Sequence, residues 1–474
     1  MEPDSTASTK TAQALLAALF AVNVYRAATQ SVAPDEAETY NRFVGPPLRE
    51  AFSVMTANNH VLNTLLEIIS TSCFHLTDLA LRLPSVLCGG LYLWAVYRLS
   101  RRTFGSGLLL LGAVALLTLN PLVLDHLSAA RGYGMALAFW TWALVLMLEY
   151  PESGQPLAAR KLRLAAVCLG LSVASNLAFI APVVALACGF AVLLRTGQSE
   201  GPSHFAQHFA IPAFVTAFLV LVIPLNHADF ATFTIGATSL RQTLHSITAL
   251  SFFHGHPSGL APVLAAGVRV GLGLLVIAVV LAAAQILRRR PRGKVESPRV
   301  ESLLVLLAGT MLLTFVTLEL AHRIFGTPFP ANGSALYFIP VATLAGLALV
   351  CKINRRPLWL GAAIVAALCI AGYLLQFNTR IYGEWPQYAE ARSAVKAIRR
   401  DAGLRRIRIG ASAGMDPVLN YYRARYDLGN WDAVNPAPLT GSYDYYVLSQ
   451  QDAGLLDQRH LRLVFRGTSL IVAR

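Results

Sequence analysis

The sequence predicts an all-α polytopic membrane protein of about eleven transmembrane helices, followed by a small extracytoplasmic α/β domain. Three observations predict it. The 474-residue chain is 55% hydrophobic and only 14% charged, whereas soluble domains carry roughly a quarter charged residues. Its mean hydropathy is +0.53, and apolar runs long enough to cross a bilayer recur along most of it. From about Arg380 the composition changes to that of a soluble domain.

The spans read near residues 12–30, 80–99, 107–124, 133–150, 163–178, 179–195, 209–225, 263–287, 302–321, 335–351 and 357–376. The leader MEPDSTASTK holds two acids against one lysine. A signal peptide starts basic, so residues 15–25 read as part of an uncleaved first span. The loops fall into two alternating sets. One is rich in cations: Arg98, Arg101 and Arg102; Arg160, Lys161 and Arg163; Arg195; RRRPRGK at 288–294; Lys352, Arg355 and Arg356. The other shows mainly Arg131, Arg241, Arg269 and Arg323. By the positive-inside rule the N-terminus is cytoplasmic; the expected location is the cytoplasmic (inner) membrane. The first loop, 31–79, the loop near 226–262 and the C-terminal segment then lie outside.

The domain division that follows is 1–379 for the membrane part and 380–474 for the outer domain. In the outer domain 388–402 and 416–423 have helical patterns, and 405–410, 443–449, 461–465 and 470–472 alternate like strands. In the first loop, 63–73 reads as a helix too short to span, suited to the interface. The net charge of +14 does not indicate a nucleic-acid partner, because many cations sit in short loops where they orient the chain. The cysteines lie mostly in apolar runs without C-x-x-C spacing, which argues against metal clusters and redox pairs.

The stretch 34–66 is the polar segment around which the chain is organised. It opens with Asp35, Glu36 and Glu38 and closes with Asn58, Asn59 and His60. Other polar residues fall at the outer span ends: Asp125, His126, Arg131, Tyr133, His322 and Arg323. Acids, imidazoles and guanidiniums on one side of a membrane suit a charged lipid headgroup. Outside the cytoplasm a transferase needs an activated donor that crosses the bilayer, and a polyprenyl-phosphate sugar serves. Transfer to a hydroxyl needs a carboxylate as general base. The departing phosphate needs Arg or a metal.

These motifs resemble the glycosyltransferase C superfamily, in particular the protein O-mannosyltransferase and lipid A aminoarabinose transferase group. PDEAETY resembles the acidic motif after span one, NNHVLNTLL the motif opening the interfacial helix, and RLPSVLCGGLYLWAVYRLSRRTFG the region around span two. DHLSAARGYGMAL resembles the segment joining spans three and four, and ALYFIPVATL a span-ten motif. The resemblance covers roughly 12–376, most firmly 30–140. Two departures stand out. Val61-Leu62 follow His60 in place of two prolines, and PANGSALYFIP lacks the expected Arg before Ala335.

The resemblance implies an inverting, lipid-linked sugar transferase acting on a glycan, lipid or protein acceptor. Asp35 would be the catalytic base and Glu36 its partner. Arg131 and Arg323 would bind the donor phosphate. His60, Asn59, Asp125 and Tyr133 would orient the acceptor, with Glu36, Asp125 and His60 as an alternative divalent-metal set. A flippase for a lipid-linked saccharide is the competing reading, but few ionisable residues fall near mid-span, where a flippase needs them. An inactive scaffold is the third.

Overall fold

The structure, a computed structural model, describes residues 5–150, 157–197, 202–252, 261–289, 299–353, 355–436 and 438–474. The N-terminal helix α1 (Ser5–Thr29) leads into the short α2 (Pro34–Thr39), α3 (Val61–Phe74) and the long α4 (Asp78–Phe104). There follow α5 (Leu108–Thr118), α6 (Pro121–His126), α7 (Tyr133–Glu149), α8 (Leu157–Ser175) and α9 (Ile180–Gly197). The chain continues through α10 (Pro202–Phe205), α11 (Ile211–Leu225), α12 (Leu240–Phe252), α13 (Ala261–Arg289), α14 (Arg299–Phe325), α15 (Phe338–Ile353) and α16 (Arg356–Gln376).

Every predicted span corresponds to helix, and eight helices among the described residues are long and apolar enough to cross a membrane. The other three predicted spans differ for local reasons. The span expected at 107–124 is split: α5 has 11 residues, and Asn120 caps a new helix that begins with Pro121, the residue favoured at a first helical position. Helix α7 has 17 residues. Helix α8 carries Arg160, Lys161 and Arg163 near its start. The basic run at 288–294 lies, beyond Arg289, outside the described residues.

Helices α1, α4, α7, α8, α9 and α14 pack on one another around a large apolar cluster. Small residues permit close approach: a Cβ at Gly170 of α8 would stand 2.5 Å from the Ala213 carbonyl of α11. Away from this cluster the bundle shows apolar side chains outward, with Leu219 71%, Leu274 64% and Leu368 66% exposed. Such a surface fits a lipid solvent.

The C-terminal part is a four-stranded sheet of order β1-β2-β4-β3, made of β1 (Ile409–Ala411), β2 (Tyr445–Ser449), β3 (Leu463–Arg466) and β4 (Leu470–Ala473). Strand β1 runs parallel to β2, and β4 is antiparallel to β2 and β3. Helices α17 (Ala391–Ala402), α18 (Asp416–Arg425) and α19 (Leu455–Gln458) complete it. Val395, Ile398, Val418, Leu419, Val447 and Val472 share an apolar cluster with Val32, Ala37, Leu81 and Ala130. The C-terminal part is therefore seated on the first loop. Asp78, at the start of α4, accepts a hydrogen bond from the Tyr421 hydroxyl (2.9 Å) and pairs with Arg392 and Arg425.

Polar contacts mark the two ends of the bundle. At one end α1, α4, α6, α7 and α8 finish or begin beside the first loop. At the other, Glu149 closing α7 meets Arg98 of α4 and Lys161 of α8, and Ser8 of α1 meets Gly107 before α5.

Candidate active site

The site is built at the first of these ends, and its foundation is a buried ion pair. Glu36 follows Pro34 and Asp35 in the opening turn of α2. Its carboxylate takes a two-pronged contact from Arg82 of α4, Nε to Oε1 at 2.8 Å and Nη2 to Oε2 at 2.6 Å. The backbone N–H groups of Ala33 (2.8 Å) and Ala130 (2.6 Å) also donate to it. Arg82 spends its remaining donors on the carbonyls of Ala27, Gln30 and Ser31. Burial alone would raise the Glu36 pKa, but the Arg82 charge and these hydrogen bonds override it and hold it below the usual value. Both side chains are 0% exposed. Glu36 thus fastens α2 to α4 and to the turn before α7, and its oxygens are all engaged.

Asp35 projects the other way, with its side chain 33% exposed and Oδ2 3.3 Å from Arg131 Nη2. Arg131 sits in the turn between α6 and α7, which Gly132 makes possible. Gly132 has φ +66°, and a Cβ there would stand 2.4 Å from the Ser175 carbonyl, a conformation that favours glycine. The buried guanidinium also donates to Asn58 Oδ1 at 3.1 Å and lies over the Tyr133 ring, 5.7 Å from its centre. Burial disfavours its charge, but Asp35, Tyr133, Glu384 and Glu36 more than restore it, so it stays protonated. Arg131 Nε and Nη1 are buried without hydrogen-bond partners.

His60 completes the cluster. The Asn176 amide lies 3.1 Å from Nδ1; with Nδ1 accepting, the ring proton sits on Nε2. That nitrogen is buried and has no partner. Burial, with the Arg131 and His126 charges added, depresses the His60 pKa well below its ordinary value, so the ring is neutral. Tyr133 lies between two imidazoles, 5.1 Å from His60 and 5.0 Å from His126, edge to face. His126 Nε2 meets Glu384 Oε1 at 3.0 Å. Gly333 presses on this pair: a Cβ there would stand 2.5 Å from His126 Nε2. The segment 332–334, where the expected Arg is missing, therefore abuts His126 and Tyr133 with its smallest residue.

Several predicted site residues serve elsewhere. Asn59 donates to the carbonyls of Ala51 and Val54, both at 3.0 Å, and accepts from Thr64; it ties the first loop together. Asp125 pairs with Arg26 of α1 and accepts the Gly383 N–H at 2.7 Å. It anchors the segment after α16 to the bundle. Arg323 is 73% exposed and pairs with Glu319 on its own helix at 2.7 Å, so the structure does not bring it into the cluster around Arg131. Among the described residues no group of three or more His, Cys, Asp or Glu is placed to hold a metal ion. Glu36, Asp125 and His60 each face a different partner.

Sequence reasoning missed the segment IYGEWPQY after the last span. It supplies Glu384 to His126, Trp385 6.2 Å from the same ring, and Tyr382 beneath Arg26 and Arg82. Its signal was an acid among aromatics next to a span end. Arg26 and Asn176 carried no signal, because each is a single polar residue at a helix end.

Residues 62–207 match the family model described as dolichyl-phosphate-mannose-protein mannosyltransferase. The match bears out the resemblance read from the motifs. No curated protein matches the sequence. Among solved structures, the chain is similar to the crystal structure of ArnT from Cupriavidus metallidurans in the apo state, at 15% identity, with 97% of each chain covered and a TM-score of 0.48. It is similar to ArnT from the same organism bound to undecaprenyl phosphate at 15% identity, with 99% of this chain and 98% of that one covered and a TM-score of 0.47. Its likeness to the arabinofuranosyltransferase AftD from Mycobacteria has 13% identity, with 97% of this chain and 41% of that one covered and a TM-score of 0.46.

Proposed function

We propose that this chain is an integral-membrane glycosyltransferase that moves a sugar from a polyprenyl-phosphate donor to an acceptor hydroxyl on the extracytoplasmic face, with inversion. The observation that carries the reading is a partly exposed carboxylate, Asp35, facing a buried guanidinium with unpartnered donors, Arg131. The family match over 62–207 supports the reaction class. The end of the bundle holding the site is opposite the end where Arg98, Arg101, Arg102 and Lys161 gather, which supports the outward orientation.

Buried donors without partners are costly, and an anion relieves the cost. A donor phosphate would take Arg131 Nε and Nη1 and the His60 Nε2 proton. As Arg131 turns to the phosphate, Asp35 loses its counterion and is released to act as base. It accepts the proton of the acceptor hydroxyl while that oxygen attacks the anomeric carbon. The bond from that carbon to the phosphate oxygen breaks, and its electron pair leaves with the polyprenyl phosphate, stabilised by Arg131. Attack opposite the leaving group inverts the anomeric centre. The sugar is a hexose or pentose in this reading, and the acceptor a glycan, lipid or protein. Glu36 and Asp125 position Asp35, Arg131 and the segment over His126 and do not touch substrate.

Comparing the cell-envelope glycans of a deletion strain with its parent tests this function. One sugar substituent should disappear in the deletion. An unchanged glycan profile, with the polyprenyl-phosphate sugar present in both strains, would contradict the proposed activity.

A further inference from the structure

At the end of the bundle away from the site lies a second built feature, a cavity of about 390 Å³ lined by Trp94, Tyr97, Arg98, Arg101, Arg102 and Arg299. Its α4 members are spaced 94, 97, 98, 101 and 102, which places them on one helix face. Among the described residues no carboxylate lines it. Behind it, the buried Glu149 takes Arg98 by two contacts, 2.6 and 2.8 Å, and also meets Arg102 and Lys161 at 3.3 and 3.0 Å. Glu149 thus ties Arg98, Arg102 and Lys161 together, and the cavity wall carries four guanidiniums.

Further contacts tie other members of the wall to neighbouring helices. Arg101 donates to the Thr9 hydroxyl of α1, and Gln13 holds the Tyr97 hydroxyl at 3.2 Å. Arg299 reaches the Arg102 carbonyl at 2.9 Å, which joins the start of α14 to the end of α4. Trp94 is 57% exposed on the rim. Tryptophan is enriched at the level of lipid headgroups, and basic pockets between helices bind anionic heads. The guanidiniums suit the oxygens of a phosphate, and the aromatic rim suits the glycerol and upper acyl region beside it.

We propose that this cavity binds the phosphate of an anionic phospholipid from the leaflet opposite the candidate active site. The lipid locks the ends of α1, α4 and α14 together. Lipid occupancy is read without any sugar transfer, so this assignment and the proposed reaction can fail independently.

The test is native mass spectrometry of the delipidated full chain titrated with dioleoylphosphatidylglycerol, with dioleoylphosphatidylcholine or with glycerol phosphate. Phosphatidylglycerol should bind saturably, about tenfold or more tighter than phosphatidylcholine, and excess glycerol phosphate should not displace it. Arg101→Gln with Arg299→Gln should weaken phosphatidylglycerol by about tenfold or more, as loss of charged hydrogen bonds does. Arg101→Lys with Arg299→Lys keeps the charges and should lose only part of the binding; this pair carries the test if the glutamine pair does not fold. Equal binding of the two lipids, or unchanged occupancy in both folded variants, overturns the proposal. Displacement by glycerol phosphate at matched concentration reassigns the cavity to a soluble phosphate and overturns the lipid assignment.

Discussion

Asp35 and Arg131 stand 3.3 Å apart, Oδ2 to Nη2, the carboxylate one-third exposed and the guanidinium buried. The base and the phosphate ligand of the proposed reaction are thus each other's counterions before the donor arrives. Removing Arg131 should cost donor binding and also leave Asp35 without a partner. Arg131→Ala should lower donor use about tenfold or more, the worth of a charged hydrogen bond or two. Arg131→Lys should recover only part, because a point charge cannot replace the planar fork. Kinetics with varied lipid donor check this, and parental kinetics for both variants would make Arg131 structural.

Glu36 is adjacent to Asp35 and should behave differently. Its carboxylate is wholly buried against Arg82. Breaking a buried pair by removing one partner costs about 3–5 kcal/mol. Glu36→Gln and Arg82→Gln should both lower the melting temperature and the yield of folded protein. Any folded fraction of Glu36→Gln should retain transfer. A Glu36→Gln protein of parental stability that lacked activity would move the chemistry onto Glu36.

Glu67 of α3 makes a pH prediction. It is buried, accepts from Asn63, and has a second oxygen with no partner. Burial pushes its carboxyl well above the usual carboxylate range, and the Glu36 charge pushes it further, against the opposing pull of Asn63 and Arg131. A carboxyl raised on folding adds stability that is full below the unfolded pKa and is lost as pH rises through the folded one. Glu67→Gln should therefore melt like the parent at acid pH and above the parent at neutral and alkaline pH. Each tenfold difference in proton affinity between the folded and unfolded chain is worth about 1.4 kcal/mol of that gap. Parallel melting curves for the two proteins across that range would show Glu67 ionised at no cost.

The orientation is tested by fusions. A reporter active only outside the cytoplasm should be active after Arg380 and silent after Arg289, where α13 ends. Equal behaviour at the two positions would put the span count wrong by one.

Much of the fold was legible because lipid-soluble helices announce themselves by composition. Each predicted span met a helix, and the strand pattern at 443–449 became Tyr445–Ser449. The break at Asn120-Pro121 lay in a run apolar on both sides, so hydropathy alone carried the helix across it. Within the site, Asp35, Arg131, His60 and Tyr133 do assemble. Asn59, Asp125 and Glu36 were placed in the site by the motifs that hold them, but a motif does not say whether a polar atom is spent inside the fold. Asn59 spends its amide on the first loop, and Asp125 holds Arg26 and the Gly383 N–H. The contribution of Glu384 depends on the segment after α16 meeting His126, a contact between distant parts of the chain whose pairing no local pattern encodes.

The central claim is that Asp35 removes the acceptor's proton. Asp35→Asn keeps the shape of the side chain and removes the base. Its side chain is only one-third exposed and faces the buried Arg131, so a modest loss of stability is expected, smaller than at the wholly buried Glu36. Loss of a general base costs about 10²–10⁴ in rate. The decisive measurement is sugar transfer from a polyprenyl-phosphate donor by purified Asp35→Asn protein, with its melting profile taken alongside. The predicted result is a folded protein with at most a modestly lowered melting temperature, donor binding retained, transfer slowed by about 10²–10⁴, and inverted product in whatever turnover remains. A well-folded Asp35→Asn protein with full transfer activity would contradict it.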